Sequence, residues 1–478
     1  MILKISMLSL LTLNLMAKEV VVNPDKYEWI SEKDYTFQKA KAKDRANRKL
    51  ASNNEITDDL MSKEYKSFRD KFLSIKSPEE LDKYLIEVDS KYDSYPNDLK
   101  VIVALISPLK EMKSFAYKAY PLATKEKITH SMVVTQILNY ASFMKINLPT
   151  EQWMAGFRYV TEPFSLNDEN EKINSVSDLQ SFVGNRLYPA MLKSAVRLSK
   201  ISISDRFVFD NKLLYGTASF SDNFKRFKTF GEAERFTALS LIHQGLAQAA
   251  RFQAYNVDDL IPFMKEIASL YGYDSAFLSE VDGVSAKKIH KVLTKDKYKN
   301  LFKLNPNGEL NMAVAYKHMK ESTRLALIAW SETRDRGASE TDLFNSELIT
   351  AFTNRIDSNA EVVERIVNGQ TTIRSDITGE TITVNFPSFY LKPLKDLKAM
   401  APIDFDEGEK QLTKSIEGKK LKYRNYFYGR SINWNVDAYK NVFPEIHKGE
   451  SVANYTKILN QAAGSDLMAM IINTGIIY

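Results

Sequence analysis

Ser77-Pro-Glu-Glu-Leu-Asp-Lys-Tyr-Leu85 reads as the opening of a helix almost residue by residue. The Ser77 side chain can accept from a free N–H of the first turn, and Pro78 stands where no N–H is needed. Glu79 and Glu80 face the positive end of the helix dipole. Leu81, Tyr84 and Leu85 then recur at three- and four-residue spacing, the apolar side of a helix. Outward from this stretch, Val101 to Leu109 and Met132 to Met144 are more continuously apolar and predict core helices. Pro96, Pro108, Pro121 and Pro149 fall at expected helix ends. On the other side, Glu32 to Lys71 is very polar and predicts one or two exposed helices. Its cluster of Lys39, Lys41, Lys43, Arg45, Arg48 and Lys49 reads as a solvated face. With only 17 glycines and 14 prolines in 478 residues, the reading is a mainly α protein of two or three packed helical domains.

Composition narrows the chemistry. Hydrophobic residues make up 44% and charged residues 26%, so each domain can bury a core while keeping a wet surface. There is no cysteine. That excludes disulfides, thiolate metal sites, cysteine nucleophiles and a lipidated cysteine. The five histidines, His130, His243, His290, His318 and His447, form neither HxxxH nor HExxH, and no glycine-rich phosphate loop or Gly-x-Ser-x-Gly is present. No metal and no cofactor is expected. No later segment approaches eighteen uninterrupted apolar residues, so no transmembrane span is expected.

Met1 to Met16 pairs a small positive region at Lys4 with an apolar run of about a dozen residues, the length of a secretory signal and too short to cross a bilayer. Ala17 offers a small residue for cleavage, which places the mature start near Lys18 and the protein in a periplasm or outside the cell. A buried N-terminal helix is the plainer alternative. The net charge of +6 then points to an anionic partner outside the inner membrane, cell-wall polymer or lipid head groups, or serves solubility alone. Export argues against nucleic acid.

The expected organisation is a signal peptide over 1–17, a helical region over 18–149, a second over 150–300 with a short hairpin, and a C-terminal α+β region over 301–478. In the second region, Arg206 to Tyr215 predicts a hairpin turning at Asp210-Asn211. Thr229-Phe-Gly-Glu232 has capping-box spacing and opens a long helix to about Ala254. His243 shares a face of that helix with Phe236, Leu239 and Leu246, and reads as a packed residue. Asn256 is expected to cap the helix that ends at Gly272. In the third region, Asn305-Pro-Asn-Gly308 is a turn. Thr371 to Phe386, with β-branched runs on both sides of Thr378-Gly379, predicts a β-hairpin. The alternation of Ile472, Ile476 and Tyr478 allows an outer-membrane component as a third reading, against which stands that a barrel would need many alternating strands and more turn glycine.

Thr323 to Glu332 reads as an amphipathic helix with Leu325, Ile328 and Glu332 on one face and the glutamate at its exit. Thr333-Arg-Asp-Arg-Gly337 follows, then a helix from about Glu340 with Leu343, Phe344, Leu348, Ile349 and Phe352 inward, closing at Asn354-Arg355-Ile356. This arrangement resembles the core of the SleB-type cell-wall hydrolases, in which an apolar helix ends in Glu-x-Arg-Gly and a later helix closes on Asn-Arg-Val. The matching residues are Glu332, Arg334, Gly337, Asn354 and Arg355, with Asp335 and Arg336 inserted before the glycine. Val362, Val363 and Val367 answer to the valine-rich stretch that follows. The resemblance covers residues 323–368. It implies a lysozyme-like region that cleaves peptidoglycan glycan strands as a hydrolase or lytic transglycosylase, with Glu332 as the catalytic acid and Arg334, Asn354 and Arg355 at the substrate. Desolvation of such a glutamate would raise its pKa toward proton delivery. A plain helical hairpin with a surface glutamate stands beside that reading.

Lys419 to Arg430, followed by Trp434, interleaves basic and aromatic side chains. Tyr423, Tyr426, Tyr428 and Trp434 can stack on sugar rings while the cations meet carboxylates, or on bases of a single-stranded nucleic acid, with export favouring the glycan. Aromatics in the core and lysines in water are the plainer account. Two functions remain: an exported peptidoglycan glycosidase, or a non-catalytic α-helical envelope protein that binds cell wall or a protein partner.

Overall fold

Ser77 caps the helix it was read to start. In a computed structural model of the chain its side chain accepts from the Glu80 N–H at 3.1 Å, and Pro78 occupies the first turn. The structure describes residues 58–123, 150–163, 172–201, 206–215, 226–270, 286–336, 362–375, 378–406, 411–416, 419–424 and 430–463. The expected leader, the Met132–Met144 helix and the helix expected from Glu340 lie outside these residues, as does most of the polar stretch before Lys71.

Along the chain the described helices are α1 Lys63–Ser74, α2 Pro78–Ser90, α3 Asn97–Ile106, α4 Phe115–Ala123, α5 Thr150–Thr161, α6 Val176–Phe182 and α7 Tyr188–Ser199. Strand β1 Phe207–Asp210, the helical turn α8 Lys212–Tyr215 and strand β2 Phe227–Phe230 follow, then α9 Glu232–Ala254, α10 Leu260–Leu270, α11 Ala286–Leu293 and α12 Gly308–Arg336. The remainder is β3 Gln370–Arg374, β4 Thr381–Asn385, α13 Phe386–Leu391, β5 Pro402–Asp406, β6 Gln411–Ile416, β7 Lys419–Arg424, β8 Arg430–Trp434, α14 Val436–Tyr439 and α15 Val452–Ala463. The fold is mainly α and multi-helical, with small two-stranded antiparallel sheets. No helix among the described residues is long and apolar enough to cross a membrane.

Two compact units divide the chain, and α9 and α12 each contribute to both. The first draws on Val20–Ala250 and Lys317–Ser358, the second on Arg251–Tyr316 and Asn359–Tyr478. In the first, Leu81, Leu85 and Val88 of α2 and Leu99, Val101, Ile102 and Val103 of α3 are buried, as the apolar spacing requires. Tyr84 is only half-buried and stacks on Phe68 at 5.7 Å. In the second, β3 and β4 form the expected hairpin, with Ile373 opposite Ile382 and Gly379 at φ +71° in the turn, a left-handed conformation that glycine adopts without a Cβ penalty.

Four local expectations are corrected. Asp210-Asn211 does not turn a hairpin: β1 pairs with β2, Phe207 opposite Phe230, while residues 212–215 are helical. The Asp210 carboxylate accepts the Lys212 N–H at 2.9 Å, which winds the chain into a turn at the point where a second strand was expected. The helix cap expected at Thr229 sits two residues later. Thr229 belongs to β2, and Glu234 reaches back to the Gly231 N–H at 2.9 Å, the reciprocal half of a capping box. Asn256 accepts from the Asp258 N–H within a turn, and α10 begins at Leu260. Pro121 lies inside α4, where it forfeits the bond its N–H would make to the carbonyl four residues back, and only Leu122 and Ala123 follow it in the helix.

Candidate functional site

Glu332 lies within α12, which continues to Arg336, so Thr333 to Arg336 are helical and the glutamate is not at a helix exit. The buried line of this segment is Ser322, Leu325, Ala329 and Thr333, while Ile328 and Glu332 flank it half-buried. Thr333 folds its hydroxyl back onto the Ala329 carbonyl at 2.8 Å. Glu332 has an interaction partner of its own. Arg334 is in the same helix, and Asn354 and Arg355 lie outside the described residues. Tyr423 is in β7, which runs antiparallel to β6 with Tyr423 opposite Leu412. Tyr426 and Tyr428 lie outside the described residues. Trp434 is half-buried at the end of β8, with its N–H donating to Asn433 Oδ1 at 2.9 Å. Glu332 and Arg334 therefore belong to the first unit, Tyr423 and Trp434 to the second.

The most concentrated buried polar chemistry of the first unit is a line the sequence did not reveal. His243 of α9 and His318 of α12 meet Nδ1 to Nδ1 at 2.9 Å, and His318 Nε2 meets the Tyr188 hydroxyl of α7 at 2.7 Å. All three side chains are at most 2% exposed. One proton occupies each gap. If Tyr188 donates to His318 Nε2, then His318 Nδ1–H donates to His243 Nδ1, and the reverse tautomer runs the line the other way. Among the described residues His243 Nε2 has no partner. Burial pushes His243 down to about 4, with Glu321 opposing and Arg324 adding to the shift. Burial, His243 and Lys317 hold His318 well below its ordinary value. Both imidazoles are neutral near pH 7. Beside them Ser240 donates to the Ser322 carbonyl and Ser322 to the Ser240 carbonyl, each at 2.8 Å. This uncharged line ties α7, α9 and α12 together through the two bonds to His318, with the orphaned His243 Nε2 at its end.

The expectation that His243 is a packed residue holds for its burial, while its pairing with His318 follows from no spacing in the chain. A signal existed in part: His318 neighbours Val314, Ala315 and Met319, all buried. Among the described residues no three His, Asp or Glu side chains gather as metal ligands.

Two ion-pair clamps complete the unit. Asp89 of α2 receives Arg197, Lys193 at 3.2 Å and Lys110 at 3.0 Å. Burial pushes its carboxyl up, yet these bonds outweigh burial and hold it well below the carboxylate range. Asp210, fully buried, is gripped by Arg226 at 2.8 Å and faces Arg69 at 3.5 Å. These carboxylates are saturated by cations and serve as anchors between elements.

No family model, curated protein or solved structure matches this chain.

Proposed function

We propose that the chain is an exported α-helical protein of the bacterial envelope that binds cell-wall polymer without cleaving it. The apolar N-terminal run supports export, and the net charge of +6 supports an anionic polymer as partner. One observation favours binding over hydrolysis: Glu332 lies inside a continuous helix and already has a partner. A general acid needs its carboxyl presented to the glycosidic oxygen, within hydrogen-bond reach of the substrate. The hydrolase reading rests on the SleB-type resemblance and on Glu332 being half-buried instead of exposed. Arg334, Asn354, Arg355 and the aromatic series Tyr423, Tyr426, Tyr428 and Trp434 are the contacts proposed for glycan in either case.

Sedimentation of the purified protein with isolated peptidoglycan sacculi tests the proposal. The expected result is protein in the pellet, release as salt rises, and no soluble glycan fragments. Fragments that disappear with Glu332→Gln would establish the hydrolase instead. Protein that stays in the supernatant and releases nothing would sink both readings.

A further inference from the structure

Arg251 sits on α9 among Ala250, Phe252, Ala254 and Tyr255, all buried. A guanidinium in such company is ordinarily neutralised. Five other sequestered arginines follow that rule. Arg69 pairs with Asp58, Asp70 and Asp210, Arg197 with Asp89, Arg226 with Asp210, Arg235 with Glu232, and Arg324 with Glu321. Arg251 is half-buried and, among the described residues, meets no carboxylate. Its ring contact is Phe389 at 5.9 Å.

A second, independent observation lies beside it. Tyr390 of α13 is 1% exposed, and its buried hydroxyl has no hydrogen-bond partner among the described residues. Its ring is fixed by Tyr316 at 5.8 Å, Phe386 at 5.6 Å and Phe389 at 5.1 Å, so the hydroxyl cannot swing away to find one. Guanidinium and phenol sense each other: burial pushes Tyr390 up to about 12, and Arg251 opposes that rise. Burial likewise pushes Arg251 down, and Tyr390 and Tyr255 oppose it. Tyr255 is committed elsewhere, donating to the Leu394 carbonyl at 3.2 Å. The place thus combines an unneutralised planar fork of N–H donors, an unused O–H donor and aromatic walls, all within the second unit.

We infer that Arg251 and Tyr390 form a binding site for a small organic carboxylate, its oxygens on the guanidinium fork and the Tyr390 hydroxyl, its apolar part against Phe389. Donors without acceptors select an anion. A single guanidinium balances one negative charge, which fits a carboxylate better than a phosphate dianion, and the fork matches carboxylate geometry in bidentate fashion. The aromatic walls favour a carboxylate with an apolar substituent. The site stands independently of the cell-wall reading and survives its failure.

Titration calorimetry on the full chain with benzoate, acetate and inorganic phosphate is the test. Benzoate should bind saturably at one site, more tightly than acetate, and phosphate should not compete. Arg251→Gln should weaken benzoate by about a hundredfold and Tyr390→Phe by about tenfold, the scale of hydrogen bonds to a charged group. Tyr390→Phe keeps the ring packing and removes an unsatisfied hydroxyl, so it should also unfold at a higher temperature without ligand. That keeps the inference testable if Arg251→Gln fails to fold. Absence of saturable binding by either carboxylate would overturn it, as would unchanged affinity in Tyr390→Phe or a preference for phosphate.

Discussion

Acidification from about pH 7.5 to about pH 5 should weaken the first unit through the His243–His318 line, well above the range in which carboxylates titrate. Burial holds His243 at about 4 in the folded chain. Unfolded, its imidazole takes up a proton near the ordinary value of about 6.5. Between those values the unfolded chain binds more protons, so stability is fully present above the unfolded pKa. It falls as pH drops through the window and levels off below the folded pKa. For His243 alone the loss over the stated range is about 2 kcal/mol. His318 is also lowered and adds to this. The pair shares one proton gap, however, so the sum is less than twice the single value. The charged neighbours partly cancel: Glu321 favours a proton on His243, whereas Arg324 opposes it there and Lys317 opposes it on His318. Glu266, held at about 2 by hydrogen bonds from Lys295 and then Lys297, does not change over this range. Urea unfolding followed by tryptophan fluorescence at the two pH values measures the difference by linear extrapolation. The double variant His243→Gln, His318→Gln keeps hydrogen-bonding side chains without a titration and should lose most of the dependence, with His290, which burial also lowers, supplying what remains. A wild-type protein equally stable at both pH values would refute the reasoning, as would a double variant with the full dependence.

Gly308→Ala should destabilise the second unit by about 2 kcal/mol or more, because a Cβ there meets the Ala254 carbonyl and lies 2.6 Å from Leu304 Cγ and Cδ1. Helix propensity alone would favour alanine at this position, so a raised melting temperature would reject the close approach. Ser77→Ala should cost about 1 kcal/mol through the lost cap on Glu80 N–H, read as a lower urea midpoint at unchanged slope. An unchanged midpoint would mean that water replaces the cap.

Local signals were legible where the physics is local. Ser77-Pro78 starts a helix because the cap and the first turn lie within four residues. Thr371 to Phe386 forms a hairpin because both strands and the Gly379 turn lie within sixteen residues of sequence. The same reasoning failed at Asp210, where the strand's true partner begins at Phe227 and the intervening carboxylate is held by Arg226. Period and turn propensity cannot register an ion pair formed across that interval. The capping box was displaced from Thr229 because strand pairing with Val208 claims that residue. The Glu332 helix was ended too early, since the charged run Glu332 to Arg336 reads as solvated loop although α12 carries it as helix. His318 and Tyr188 were invisible as a pair because they are 130 residues apart and meet only through helix packing.

What separates scaffold from site in this chain is the fate of its sequestered polar groups. Asp89 and Asp210 are each surrounded by cations, and Ser240 and Ser322 exchange hydrogen bonds, so removing one member leaves another buried and unpaired. Such groups resist change and offer nothing to a ligand. His243 is an intermediate case: one nitrogen is bonded, the other is orphaned, and the neutrality imposed by burial makes it sensitive to protons. The Tyr390 hydroxyl lies at the opposite end, buried with no acceptor among the described residues, near the half-buried Arg251, which meets no carboxylate among them. Native proteins leave few buried donors unsatisfied, and the Tyr390 hydroxyl near a guanidinium without a carboxylate is most economically explained by an acceptor that arrives from outside the chain. Glu332, half-buried and already partnered, does not share that property. The unsatisfied Tyr390 hydroxyl and its neighbouring guanidinium therefore direct a search for ligand to Arg251 before Glu332.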